Sequence, residues 1–229
     1  MAGPHTARAR ARELMITDIK RLALEQLGRE GAAQLSLRAI ARELDLVPSG
    51  IYRYYAGRDE LLTALIVDAY ADLGRVVAGA DQRLPRTRYR RRWTARCLAL
   101  RGWALEQPHR FQLLYGTPVP GYRAPADTIA PAGEIIAALF GVPAEAAAAG
   151  ALSPPADPTG RAFRRQLTAV AAAVAVDLTP GAVAAATAAF AEIVGLVLLE
   201  LGGHFVGGYE PADDLYAASV DTLADRLGL

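Results

Sequence analysis

Residues 46–62 read LVPSGIYRYYAGRDELL, in which three tyrosines fall within four positions beside a proline, two glycines and two arginines. A core helix spaces its aromatics three or four apart so that they share one face, whereas Tyr52, Tyr54 and Tyr55 point in at least two directions around a helix. Such a segment sends side chains both into a core and away from it. Upstream, Ser36 stands as an N-cap before LRAIAREL, whose Leu37, Ile40, Ala41 and Leu44 recur at helical spacing. A tight break follows at Asp45, one of the few non-glycine residues that tolerate the left-handed conformation. Pro48 then fits the first position of a very short helix over 48–54, because the donor it lacks would be unpaired there anyway. Ala56-Gly57 interrupts that helix before Arg58 opens the next. The pattern is helix, turn, helix, with the second helix projecting.

Further out, residues 8–29 predict a long first helix with Ile16, Ile19, Ala23 and Leu27 as its apolar stripe, ended by Gly31. Beyond residue 80 the periodicity predicts helices at about 86–106, 108–115, 127–140, 160–177, 181–201 and 212–227, with GTPVPGYRAP and GALSPPADPTG as punctuation. Alanine and leucine far outnumber strand formers, so the expected fold is all-α. A composition shift near residue 80 suggests a small basic front domain that shares a connecting helix with a larger helical body, the expected domains being 1–60 and 61–229.

The composition is 52% hydrophobic, ample for a core. The net charge of +1 hides a division: residues 1–101 hold 18 Arg and one Lys against 11 acids, a balance of +8, and the rest of the chain carries −7. A basic front half suits an acidic partner such as nucleic acid, or pairs with the acidic half within the fold. The lone Cys97 excludes an intramolecular disulfide, and no apolar leader region follows MAGPHTARARARE, so a cytoplasmic protein is expected. The apolar run at 182–201 nears the length of a membrane span but carries Glu192 and Glu200, which favours burial in a core or subunit interface, with no membrane partner. His5, His109 and His204 lie far apart with no metal-ligand spacing, and neither a phosphate-binding glycine loop nor a nucleophile elbow occurs, so no enzyme, metal or cofactor is expected.

Residues 36–62, SLRAIARELDLVPSGIYRYYAGRDELL, closely resemble the helix-turn-helix of the TetR family of bacterial transcription regulators, through Ile40-Ala41, the turn, Ile51, Tyr52 and Tyr55, and Arg58 followed by acid-x-Leu-Leu. The resemblance implies a sequence-specific DNA-binding regulator, most simply a repressor released from a palindromic operator by a small-molecule effector. A helical interaction protein with no DNA role would leave the first 60 residues unexplained. Ile51 and Tyr55 are expected to face inward and fasten the short helix, while Tyr52 and Tyr54 reach phosphate or groove with their hydroxyls. Arg58, at a helix N-terminus, is expected to hold a phosphate, and Ser36 to cap its helix or bind the backbone. Arg38 and Arg53 suit phosphates or base edges, and Pro48, Ser49 and Gly50 form the end that meets the bases. That end, Val47-Pro48-Ser49-Gly50, is nearly bare of hydrogen-bonding side chains. Arg8, Arg10 and Arg12 are candidates for a minor-groove arm. The arginines of 86–92 are read as a solvated helix start paired in part with acids of the body.

Two copies in successive major grooves, ~34 Å apart, require a homodimer, with helices 181–201 and 212–227 as the expected bundle. In the body, Trp93, Cys97, Trp103, Phe111, Tyr115, Tyr122 and Phe140 are candidates to line an effector pocket, with Gln107, His109 and Asp127 as further polar anchors and Phe190 as a further aromatic.

Overall fold

A computed structural model describes residues 4–229, with side chains from residue 7. Among the described residues there is no strand; the helices are α1 (Pro4–Glu30), α2 (Leu37–Glu43), α3 (Arg58–Gly79), α4 (Tyr89–Glu106), α5 (Pro108–Tyr115), α6 (Ile129–Ala148), α7 (Arg161–Ala173), α8 (Pro180–Leu201) and α9 (Asp213–Leu227). The all-α expectation holds. The chain divides into two compact units, the first running up to Ala69 and resuming at His109–Thr128, the second comprising Tyr70–Pro108 and Ile129–Leu229. The first unit thus reaches past residue 60 and takes in a segment from mid-chain.

In the first unit, α1 lays Ile19, Leu22, Ala23 and Leu27 against Leu37, Ile40 and Ala41 of α2 and against Leu61, Leu62 and Leu65 of α3, all buried. Leu113, Val119 and Tyr122 cover this core from the mid-chain segment, and the Tyr122 and Thr63 hydroxyls share a hydrogen bond of 2.9 Å.

In the second unit α4 packs against α6, α8 and α9. It does so with arginines as well as apolar side chains. Arg92 is fully buried; its Nε meets Asp81 at 2.6 Å, and its two terminal nitrogens hold both oxygens of Glu145 at 2.5 and 3.1 Å. Arg96 donates to the other oxygen of Asp81 at 3.0 Å and to the Ala138 carbonyl. Arg101 binds Glu200 of α8 through a fork of 2.6 and 2.7 Å and reaches Asp213 at 3.0 Å, with its guanidinium 5.4 Å from the centre of the Tyr216 ring. Arg90 clamps Asp221 and Asp225, one turn apart on α9. The 86–92 arginines are therefore partly bound to acids, as the pairing alternative requires, although Arg92 is a core residue and not part of a solvated face.

Several helices stop in one way. Beyond α2, α6, α7 and α8, the N–H two residues past the helix cap bonds a carbonyl five residues back, at 2.8–3.0 Å, and the residue between turns left-handed; at α9 the cap Gly228 itself turns left-handed and the Leu229 N–H bonds the Ala224 carbonyl at 3.0 Å. Glycine fills that place at Gly150, Gly203 and Gly228, but Asp45 and Ala175, both at φ 53°, fill it after α2 and α7. The turn at Ala175 is why α7 ends at Ala173 and not at the expected 177. Conversely, α6 runs past the expected stop at 140 to Ala148 with Pro143 inside it. Pro143 offers no N–H to the carbonyl of Leu139, yet Val142, Pro143 and Ala146 are buried and Glu145 is held by Arg92, so packing outweighs the local penalty.

Candidate nucleic-acid interface

The geometry of the opening motif follows from its local sequence. The Ser36 hydroxyl accepts from the Ala39 N–H at 3.3 Å, and the Ser36 N–H donates to Gln26 at 3.0 Å, so α2 starts on a cap that α1 fixes in place. Asp45 then reverses the chain, and Leu46 bonds back to Ala41 at 2.9 Å. The expected helix over 48–54 is a tight turn at 48–50 followed by a 3₁₀ helix, Ile51–Arg53. So short a helix is not stable alone; here Ile51 and Tyr55 are buried in the first-unit core and hold it. Burial pushes the Tyr55 hydroxyl up to about 12, aided by Asp68 and Glu60 and opposed by Arg12, so it stays protonated as a core group should.

The candidate contact residues fall into distinct environments. Arg38, Pro48, Ser49, Tyr52 and Arg53 are exposed. The side chains of Arg38, Ser49, Tyr52 and Arg53 have no hydrogen-bond or ion-pair partner among the described residues. Gly50 is buried: a Cβ there would stand 3.0 Å from the Val47 carbonyl, so the residue serves close packing of the turn and has no side chain to offer. Tyr54 is half-buried against the core, with the Arg12 guanidinium 5.7 Å from its ring centre. Ser36 spends its oxygen on its own helix.

Arg58 departs from expectation. One of its terminal nitrogens donates to the carbonyls of Ala32 and Ala33 at 2.9 and 3.2 Å, and its Nε is enclosed without a partner. The side chain expected to meet a phosphate ties the start of α3 to the 3₁₀ turn before α2, sharing the Ala32 carbonyl with the Leu35 N–H. Arg8, Arg10 and Arg12 lie on the first turns of α1, exposed. Sequence reasoning passed over Gln26; its position in the stripe of Leu22, Ala23 and Leu27, where a polar residue is 3% exposed, was the available signal.

The charge division also finds its place. Residues 1–69 carry ten cations against nine acids, whereas residues 70–101 carry nine against two. Most of the basic excess thus lies in the stretch containing α4, where Arg90, Arg92, Arg96 and Arg101 are paired with acids.

The seven aromatic and thiol candidates for an effector pocket are shared between the units. Trp93, Cys97, Trp103 and Phe140 are buried in the second, and burial pushes the Cys97 thiol up, leaving it inert. Trp103 donates to Asp72 at 3.0 Å. Phe111, Tyr115 and Tyr122 belong to the first unit, the Phe111 and Tyr115 rings packing with centres 5.0 Å apart and planes tilted by 52°. Two surface cavities, of about 910 and 560 Å³, are lined by α1 with Asp68 and His109 and by α7, and by none of the seven. Among the described residues no cluster of three His, Cys, Asp or Glu has metal-binding geometry. The helices at 126–148 and Pro180–Leu201 are long and apolar enough to cross a membrane; in this fold Glu200 and Glu192 of α8 pair with Arg101 and Arg226.

The sequence matches two family models: bacterial regulatory proteins of the tetR family over residues 19–65, and a tetracyclin repressor-like C-terminal domain over 93–223. It is 48% identical over 131 residues to the HTH-type transcriptional regulators Rv1816 of Mycobacterium tuberculosis (strain ATCC 25618 / H37Rv) and Mb1846 of Mycobacterium bovis (strain ATCC BAA-935 / AF2122/97), covering 57% of this chain and 56% of each relative. The match thus spans little more than half the length of those proteins. The fold superposes on the crystal structure of SCO4313, a candidate regulatory protein, with a TM-score of 0.78 and 34% identity over 95% of this chain and 98% of that one.

Proposed function

The chain belongs to the tetR family of bacterial transcriptional regulators, and from that premise we propose that it is a homodimeric, cytoplasmic repressor that leaves a palindromic operator when a small-molecule effector binds the second unit. One observation carries the reading: in the helix-turn-helix, Ile51 and Tyr55 are buried, while the side chains of Arg38, Ser49, Tyr52 and Arg53 stand exposed with no partner among the described residues. Guanidiniums left free beside a projecting helical segment suit phosphates, and a phenol at 47% exposure suits a phosphate oxygen at a groove edge. Arg38, Tyr52 and Arg53 position the protein on the duplex; Pro48 and Ser49 meet the base edges. Ser36, Gly50 and Arg58 shape this surface, and Tyr54 steadies it through Arg12.

The outer side of α8 supports a dimer. Thr187, Ala188, Ala191 and Leu199 are exposed there, and at Gly195 an added Cβ would meet nothing within 4 Å. On α9, Ala217, Ala218 and Thr222 are exposed beside half-buried Leu215. Small side chains allow two such helix pairs to approach closely and form a four-helix bundle. An effector then acts by favouring a dimer geometry whose two reading segments no longer match the groove spacing.

The test is binding of the purified protein to random duplex DNA across a salt series. A regulator of this kind binds at low salt with a steep log-log slope; failure to bind any duplex at low salt refutes the reading. Tyr52→Phe is expected to weaken binding uniformly across sequences, and Ser49→Ala to change preference among operator variants. Ala191→Glu is expected to yield monomers in light scattering and to reduce operator affinity far more than affinity for random duplex.

A further inference from the structure

Val47 is 66% exposed, against 47% for Tyr52 in the same segment. A single exposed valine needs no explanation, but the setting of this one does. Its carbonyl accepts the Gly50 N–H at 2.6 Å, and a Cβ at residue 50 would come within 3.0 Å of that carbonyl and 3.5 Å of Val47 Cγ2. The turn is therefore closed tightly against Val47 and fixes it just ahead of the 3₁₀ helix, while the neighbouring Leu46 packs on the core. Pro48 and Ser49 are exposed beside it. Arg38, Arg42 and Arg53, exposed and without an ion-pair partner among the described residues, supply positive charge on the elements to either side.

The tip of the reading segment is thus apolar with one hydroxyl, and cationic side chains flank it in the chain. Those cations answer phosphates. Val47 and Pro48 side chains neither donate nor accept a hydrogen bond, so they cannot read the polar atoms of base edges. In the major groove the apolar group that distinguishes one base from the others is the thymine 5-methyl. We propose that Val47, with the Pro48 ring beside it, is a specificity-determining residue that reads thymine methyl groups in the operator. The proposal rests on the DNA-binding reading above and explains why the bare stretch Val47-Pro48-Ser49-Gly50 suffices as a reader: what it recognises has no hydrogen bond to offer.

To test this, the operator is selected from random duplexes with the full chain, and each thymine in it is replaced singly by deoxyuridine, which removes the methyl and keeps every hydrogen-bonding group. At one or more thymines per half-site the replacement is expected to weaken wild-type binding about fourfold, the equivalent of ~0.8 kcal/mol for one methyl-sized apolar group. Val47→Ala should bind the thymine and deoxyuridine operators alike, and Val47→Thr, which keeps one methyl, should retain part of the discrimination. Because Val47 is exposed, both variants should melt like wild type and bind random duplex with the same salt slope. Deoxyuridine without effect at every thymine, an operator with no thymine in its half-sites, or undiminished discrimination by Val47→Ala overturns the proposal while leaving DNA binding intact. Failure of the wild type to bind any duplex at low salt overturns the DNA-binding reading and the proposal with it.

Discussion

Asp45 and Ala175 occupy the same left-handed place at φ 53°, where three other helices use glycine. An L-residue there costs about 1–2 kcal/mol, less for Asp, whose short polar side chain bonds locally. Ala175→Gly is therefore expected to raise stability by up to about 1 kcal/mol, offset in part by the added freedom of glycine in the unfolded chain. Asp45→Ala should lower it by about 1 kcal/mol while Asp45→Gly does not, read as shifts in urea midpoint. Asp45 was legible in the sequence, because a turn between two short amphipathic helices needs such a residue. Ala175 was not, since nothing in a run of alanines marks where a helix will turn over. At Arg58 the sequence pointed to an anion, and its neighbours 25 and 26 residues upstream, Ala33 and Ala32, claimed it instead. Arg58→Ala is expected to destabilise the fold by roughly 1–3 kcal/mol, the worth of hydrogen bonds to a charged group, with no change in the salt slope of DNA binding. A slope lowered by about one phosphate's worth would restore the phosphate role.

Helix ends and helix contacts show what single substitutions do to whole elements. The N-terminus of α8 is capped by Thr179 and by Asp157, which accepts the Gly181 N–H at 2.7 Å. A Cβ at Gly181 would fall 2.2 Å from the Pro155 carbonyl, and one at Gly228 would fall 2.0 Å from that of Ser153. Gly228 also sits at φ 80°. Gly228→Ala therefore meets both backbone strain and a backbone clash, and is expected to cost roughly 1–3 kcal/mol or more in the denaturant midpoint. The contact of α4 with α6 depends on charge. Removing Arg92 leaves Asp81 and Glu145 without their main partner, so Arg92→Ala should cost about 3–5 kcal/mol, or leave the protein insoluble. Arg92→Met together with neutral partners at 81 and 145 should recover much of that loss. The helices themselves were legible from periodicity, with boundaries near those observed for α4, α5, α8 and α9. The buried arginines were not, because Arg101 and Arg90 find their acids about 100 to 135 residues away, and a run such as RYRRRW reads locally as a solvated face.

For the molecule as a whole, those ion pairs set the acid limit of stability. Burial alone would push the Asp81 carboxyl up, but hydrogen bonds from Arg92 and Arg96 hold it below the usual range. The Arg92 hydrogen bond does the same for Glu145 against its burial, and Arg101 lowers Asp213. A carboxyl whose pKa is lower folded than unfolded contributes stability above its unfolded value, near 4, and loses that contribution as pH falls through the folded value. The urea midpoint should therefore be flat from about pH 5 to 7 and fall steeply below about pH 4, and a flat profile down to pH 3 would contradict the ion-pair account. The candidate DNA surface was the most legible part of the molecule, since turn, cap, anchor and exposed side chains all lie within 20 residues. The division into units was less so. Nothing local in GTPVPGYRAP says that Val119 and Tyr122 will cover a core built by residues 19–65.

That mid-chain segment constrains how such a protein can be recombined. The border between the units is crossed three times along the chain, after Ala69, after Pro108 and after Thr128. A DNA-binding module grafted onto another body with a single junction near residue 60 or 70 would arrive without Leu113, Val119 and Tyr122, exposing the apolar surface they cover. Exchange of operator preference between relatives by one crossover would then yield chains prone to aggregate, whereas substitutions confined to the exposed Val47, Pro48, Ser49, Tyr52 and Arg53 would, on the proposed reading, re-address the same scaffold without opening it.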